Sequence, residues 1–322
     1  MRRPRRKRPG SQRPRLLPIA LGATLIAGVA ACEPASGDPM HNAAQTTNCV
    51  GSGVDGAGTT PTAQDRRLWK REFVDTFDRC DLGNRWSTYS GSPGGNPVGR
   101  WDASMVRVHD GVLRLLGEKT TSGWVTGGVS NYPVTQTYGR WEVRMRATDS
   151  ADLSYHMLLW PKDEQWPPEI DFAESIASRR DQMSAFVHWV DARNRDGDNK
   201  KAHAEVSGDF GDWHTVGVEW LPGLIRYLLD GRVWAEVRDP VMVPSVPMWL
   251  GMQVEAGACE RRADWGMATC SPDEPRPTHG EVEIDWVAVY SPIDDVAAFT
   301  SAGYLTPTPG AAQLGACLLY TS

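Results

Sequence analysis

Three carboxylates stand close together at Glu169, Asp171 and Glu174, separated by apolar Ile170, Phe172 and Ala173. In an extended strand successive side chains alternate faces, so Glu169 and Asp171 share one face and Glu174 points the other way. One extra residue, taken up as a β-bulge near Phe172–Ala173, would return Glu174 to the face of the other two. The outer Cα atoms would then lie about four strand steps, or ~13 Å, apart. Two long glutamate side chains leaning together close most of that gap. Carboxyls brought to ~5–5.5 Å can split a glycosidic bond with retention, one attacking as an anion and the other donating a proton. An amphipathic strand with an acidic wet face has the same spacing, and spacing alone leaves both readings standing.

The first reading needs a β framework. The chain of 322 residues has 32 Gly, 23 Pro and 14 Trp against 6 Phe, a balance that favours turns and strands over long helices. Tryptophan in excess suits stacking on sugar rings as well as filling a large core. Residues Gly139–Ala147 give the clearest strand, with Trp141, Val143, Met145 and Ala147 alternating against Arg140, Glu142, Arg144 and Arg146. Shorter strands are predicted at 72–78, 112–116, 154–160, 169–175, 183–190, 213–220, 224–229, 233–237 and 247–254. A last strand at 281–290 sets Val282, Ile284, Trp286, Ala288 and Tyr290 against Glu283 and Asp285. Asp230-Gly231 supplies the positive φ angles of a tight hairpin. With no long 3.6-residue period and no internal repeat, the pattern predicts one all-β sandwich or jelly roll over residues 69–292.

The ends read differently. Residues 1–31 hold eight of the chain's 34 Lys and Arg and no acid, followed within that span by an apolar run and small residues before Cys32. This is an export signal, too short for a membrane span. Val29-Ala30-Ala31-Cys32 resembles a bacterial lipobox, which implies lipidation at Cys32 and an outer-surface anchor; plain cleavage after Ala31 is the alternative. Residues 32–67 read as a disordered linker of small and polar residues. Residues 293–322 read as a tail, disordered or artefactual. Beyond the leader, 26 bases face 40 acids, which argues against a nucleic-acid partner. Export permits disulfides, and Cys49–Cys80 and Cys259–Cys270 make two sensible bridges.

Residues 69–291 resemble glycoside hydrolase family 16. The resemblance rests on Glu169-Ile170-Asp171-Phe172-Ala173-Glu174, the bulged Glu-x-Asp-x-x-Glu form, with flanks in the family's order. Phe73–Asp78, Thr137–Arg144, Asp212–Thr215, Glu219–Gly223 and Glu283–Tyr290 supply those flanks. It implies a concanavalin-like jelly roll of two curved antiparallel sheets and an endo-acting hydrolase of β-linked polysaccharide. The bulged form points to the family's bacterial glucanase, agarase and carrageenase branch and away from the plant-type transglycosylases, with a β-1,3- or β-1,3-1,4-glucan the favoured substrate. A galactan hydrolase and a non-catalytic carbohydrate-binding protein are the alternatives. Carried over, Glu169 is the nucleophile, Glu174 the acid/base and Asp171 the group between them. His188 matches a cleft histidine expected to bond Asp171 or sugar. Trp160 is a sugar platform, while His156 stands where the family carries tryptophan. Trp166, Trp249 and Gln253 are further candidates for the cleft wall. No cofactor is implied for catalysis; a structural calcium on the convex side would use Gly111 and Asp285. The partners implied are a polysaccharide substrate and, through Cys32 alone, a membrane; the protein is expected to be a monomer.

Overall fold

The computed structural model describes residues 67–94, 96–190, 199–265 and 267–315. The leader, Cys32, Cys49 and linker residues 33–66 lie outside them, as do residues 316–322. The domain opens with β1 (Trp69–Asp75), β2 (Ser87–Thr88), β3 (Gly99–Trp101), β4 (Val106–His109), β5 (Val112–Thr120), β6 (Gly123–Thr126) and β7 (Gly128–Ser130). Its middle holds β8 (Gly139–Ala147), β9 (Leu153–Pro161), β10 (Glu169–Ser175), β11 (Gln182–Val190) and β12 (Asn199–Ser207). There follow β13 (His214–Leu221), β14 (Leu224–Leu229), β15 (Arg232–Val237), β16 (Met248–Ala256), β17 (His279–Pro292) and β18 (Ala312–Gln313). Two short helices, α1 (Ala258–Arg261) and α2 (Val296–Ser301), interrupt the strands.

The strands form a two-sheet jelly roll. One sheet runs β12-β11-β10-β9-β16-β7-β2, and the other runs β18-β15-β14-β13-β8-β17-β5-β6-β3, with β1 also on β17 and β4 also on β5. The alternation seen in the sequence sets the layers. Trp141, Val143 and Met145 of β8 meet Tyr155, Met157 and Leu159 of β9 in one core, all fully buried. Each such side chain contributes about 1.5–3 kcal/mol on leaving water. A one-residue slip would turn the whole apolar set outward, so this burial also fixes register. At the β14–β15 turn Asp230 and Gly231 take φ of 49° and 75°, the positive pair that the sequence predicts.

Two expectations need correction. First, β17 does not keep one apolar face along its length. Its register on β8 shifts between Ile284 and Trp286. Val282 and Ile284 therefore lie in the inter-sheet core with Val287 and Val289, whereas Trp286, Ala288 and Tyr290 join a second core on the outer side. Second, the tail expected from residue 293 is part of the fold as far as residue 315. Phe299 and Tyr304 pack on Trp69 in the outer core, and β18 pairs in parallel with β15. Glu236, fully buried on β15, accepts hydrogen bonds from the Thr308 amide and hydroxyl and from Gln313 Nε2. Its anchors are too sparse to leave a periodic pattern.

Cys259 and Cys270 are disulfide-bonded, with Cα atoms 5.6 Å apart. The other expected bridge, Cys49–Cys80, falls partly outside the described residues. Of the calcium pair, Gly111 sits in the β4–β5 turn with φ 72°. Asp285 Oδ2 lies 3.2 Å from Arg144 Nε. That oxygen already faces a guanidinium, so a calcium there would have to share Asp285 with Arg144 or displace it.

Candidate active site

The regular pairing of the cleft-side sheet breaks at β10. Glu169 stands opposite His188 and Glu174 opposite Ser184, so five steps along β10 match four along β11. On the other flank the register against β9 shifts between Asp171 and Ala173. The extra residue leaves Phe172 and Ala173 both in the core beside Ile170, all three fully buried. Two consecutive apolar side chains drive this bulge, because a regular strand would have to present one of them to the cleft. The consequence is the one chemistry requires. Glu169, Asp171 and Glu174 line one cleft of about 860 Å³.

The three acids sit in unlike surroundings. Asp171 is 1% exposed, and His188 Nε2 lies 3.3 Å from its Oδ2. Burial, then the charge of Glu174, holds its carboxyl well above the usual range, against a hydrogen bond with Glu169. Glu169 is raised too, by burial and then by Asp171, with His188 and the Trp166 indole opposing. That indole Nε1–H donates to Glu169 Oε2 at 2.7 Å. Asp171 raises Glu169 by its charge, while the hydrogen bond with Glu169 lowers Asp171. Asp171 and Glu169 therefore titrate as a linked pair rather than as independent acids. Burial, with Lys201 assisting, lowers the pKa of His188, which favours the neutral ring. Glu174 is held from the β9 side, where His156 Nδ1 lies 2.6 Å from its Oε1.

The sequence profile of Glycosyl hydrolases family 16 matches residues 98–288, which contain this bulged strand and both its neighbours. The chain belongs to family 16. It is 26% identical over 242 residues to the endo-1,3-1,4-beta-glycanase ExoK of Rhizobium meliloti, covering 72% of this chain and 80% of that one. It is 28% identical over 178 residues to ExsH, an endo-1,3-1,4-beta-glycanase of the same organism. That match covers 55% of this chain and only 35% of ExsH. In fold it is similar to the laminarinase from Rhodothermus marinus, with a TM-score of 0.59 at 21% identity, covering 71% of this chain and 100% of that one.

Around the family 16 carboxylates the structure gathers the other expected residues. Trp160, Trp166, His156, His188, Trp249 and Gln253 all line the same cleft. Trp160 and Trp249 are cross-strand partners on β9 and β16. Trp160 Nε1 donates to Glu164 Oε2 at 2.9 Å. Trp166, 43% exposed, stands beside His188 with ring centroids 5.7 Å apart. Gln253 Nε2 donates to Glu255 Oε1 at 2.7 Å.

Sequence reasoning missed several cleft residues, among them Tyr89, Trp101 and Arg261. Tyr89 packs edge-on against Trp101 at 5.0 Å and against Trp249 at 6.4 Å, extending the aromatic wall. It follows a two-residue strand with no alternation to read. One signal did point to it. Gly251 interrupts an apolar strand, and a Cβ there would fall 2.6 Å from the Tyr89 hydroxyl. Glu255 accepts from Asn96, Gln253 and Arg261, a set drawn from distant parts of the chain.

Proposed function

We propose that this protein hydrolyses internal β-linkages of a β-1,3- or β-1,3-1,4-glucan with retention of configuration. The observation that carries the reading is the bulge, which sets Glu169, Asp171 and Glu174 on one face of an aromatic-walled cleft. A binding protein would need the aromatic wall alone. Burial and neighbouring acids raise the proton affinity of Asp171 and Glu169, a cost that makes sense where protons and covalent bonds are exchanged.

The chemistry follows from the surroundings. Glu169, ionised and steadied by the Trp166 N–H, attacks the anomeric carbon while Glu174 gives a proton to the departing glycosidic oxygen. Asp171, hydrogen-bonded to Glu169, holds the nucleophile in position and shares the proton load with it. Glu174 then takes a proton from water as the water oxygen displaces Glu169. Trp160 and Trp249 offer flat faces for sugar rings, and Gln253 offers polar atoms for hydroxyls.

The test is turnover of the purified protein on laminarin, lichenan, agarose and carrageenan, with the first anomer released followed by NMR. Cleavage of laminarin or lichenan to the β-anomer is expected. Cleavage of agarose or carrageenan alone would move the substrate to a galactan, and silence on all four would favour the carbohydrate-binding reading. The proposal extends to place: exported, anchored through lipid on Cys32, and acting as a monomer. Mass spectrometry of the mature N-terminus checks the anchor, since a diacylglyceryl group on Cys32 and an unmodified cysteine differ by hundreds of daltons.

A further inference from the structure

We propose that His156 is a positioning residue for Glu174, holding Oε1 through its Nδ1–H so that Oε2 is the oxygen that exchanges protons with substrate and water. The proposal rests on the reading of Glu174 as the acid/base. It gives a role to a side chain that touches the machinery from behind.

The ring is 4% exposed and is gripped at both nitrogens. Nδ1 lies 2.6 Å from Glu174 Oε1 and Nε2 lies 2.9 Å from Ser154 Oγ. The Ser154 hydroxyl in turn donates to the backbone carbonyl of Glu255 at 3.4 Å. A hydroxyl has one proton to give. With that proton directed at Glu255, Ser154 Oγ can only accept from the imidazole, so Nε2 carries a hydrogen. The tautomer is thereby set from the side away from Glu174. A neutral ring would turn a lone pair toward Glu174, and an imidazolium turns an N–H.

The surrounding charges choose between these forms. Glu174 on β10 and Glu255 on β16 face the ring and favour the imidazolium, while Arg261 on α1 opposes it. Asp171 and Glu169 stand farther along β10 on the same cleft, with His188 across from them on β11. Burial works against a charged ring, but the charge and hydrogen bond of Glu174, with Glu255 behind, exceed it and the pKa of His156 is raised. The imidazolium is the form that meets an ionised Glu174.

In the first step the proton leaves Glu174 Oε2 for the glycosidic oxygen as that C–O bond breaks and Glu169 bonds to the anomeric carbon. The new carboxylate keeps the Nδ1–H bond at Oε1. In the second step Oε2 takes a proton from the attacking water and Glu169 leaves as a carboxylate. His156 keeps both its protons throughout and lowers the cost of the ionised state of Glu174.

Two measurements test this. In the full chain, the His156 imidazole is titrated by 15N NMR in the wild type and in Glu174→Gln. Loss of the carboxylate is expected to lower the His156 midpoint by about one pH unit or more. An unchanged midpoint overturns the proposal, and this result needs no substrate. In kinetics, His156→Gln is expected to move the alkaline limb of kcat/KM upward by about one pH unit, the effect of removing a nearby cation from a carboxyl. Its kcat should fall on polysaccharide far more than on an aryl glycoside whose leaving group departs unprotonated, with KM changed less than about twofold. A rise in KM alone would make His156 a sugar contact, and equal losses on both substrates would make its role structural; either sinks the proposal. Ser154→Ala keeps the ring in place and should move the same limb in the same direction by less. No movement there overturns the tautomer argument, even if His156→Gln fails to fold. If the wild type cleaves none of the glucans, the functional reading fails while the NMR result still decides the pair.

Discussion

Glu169 and Asp171 stand two positions apart on one face of β10, and the proposed reaction needs Glu169 as the anion. The Trp166 N–H on Glu169 favours that anion. Glu169→Gln keeps the side-chain volume and removes the nucleophile, so oligosaccharide binding by calorimetry should persist while turnover falls below a few percent. Ionisation of Glu169 limits the acidic side of kcat/KM. Burial and then the Asp171 charge hold that proton on, so the acidic limb should lie above the usual glutamate range near ~4.3. Asp171→Asn removes the second of those causes. Its limb should shift to lower pH while kcat also drops, which a pH–rate series on lichenan would show.

The element that converts these residues into a site is β10, and its key position is apolar. Glu174→Gln keeps the bulge formed at Phe172 and Ala173 and removes only the acid/base. Activity should fall by about 10²–10⁴-fold, the usual size of a lost acid/base contribution. The bulge was legible in the sequence because Ile170, Phe172 and Ala173 cannot all face inward in a regular strand while three acids face out. The Asp230-Gly231 hairpin was legible for a similar local reason. The change of face in β17 was not, since Val282 to Tyr290 alternates smoothly and the register shift is decided by β8, far away in sequence. Edge strand β12 (Asn199–Ser207) was also missed, its lysines and glutamate masking a period of two. Tail residues 293–315 were missed because Phe299, Tyr304 and Leu314 are its few anchors. A chain ended at Pro292 should therefore melt lower by at least about 5 °C in differential scanning calorimetry, a few kcal/mol for a domain of this size.

At the scale of the molecule, charge and layering decide what the environment can change. Arg144 is paired with Asp285, the carboxylate expected to help hold calcium. Adding millimolar calcium or EDTA should consequently leave Tm within about 1 °C, well under the stabilisation that saturating ligand gives. A rise of several degrees with calcium would mean that Arg144 swings aside. A strand that contributes to both cores, as β17 does, has a thermodynamic corollary. Since β17 carries Val287 and Val289 inward and Trp286 and Tyr290 outward, the inner and outer layers share a backbone and cannot melt one after the other. Heating should give a single endotherm whose calorimetric and van't Hoff enthalpies agree. Damage on the outer layer, far from the carboxylates, would then be felt as a lower midpoint for the whole domain.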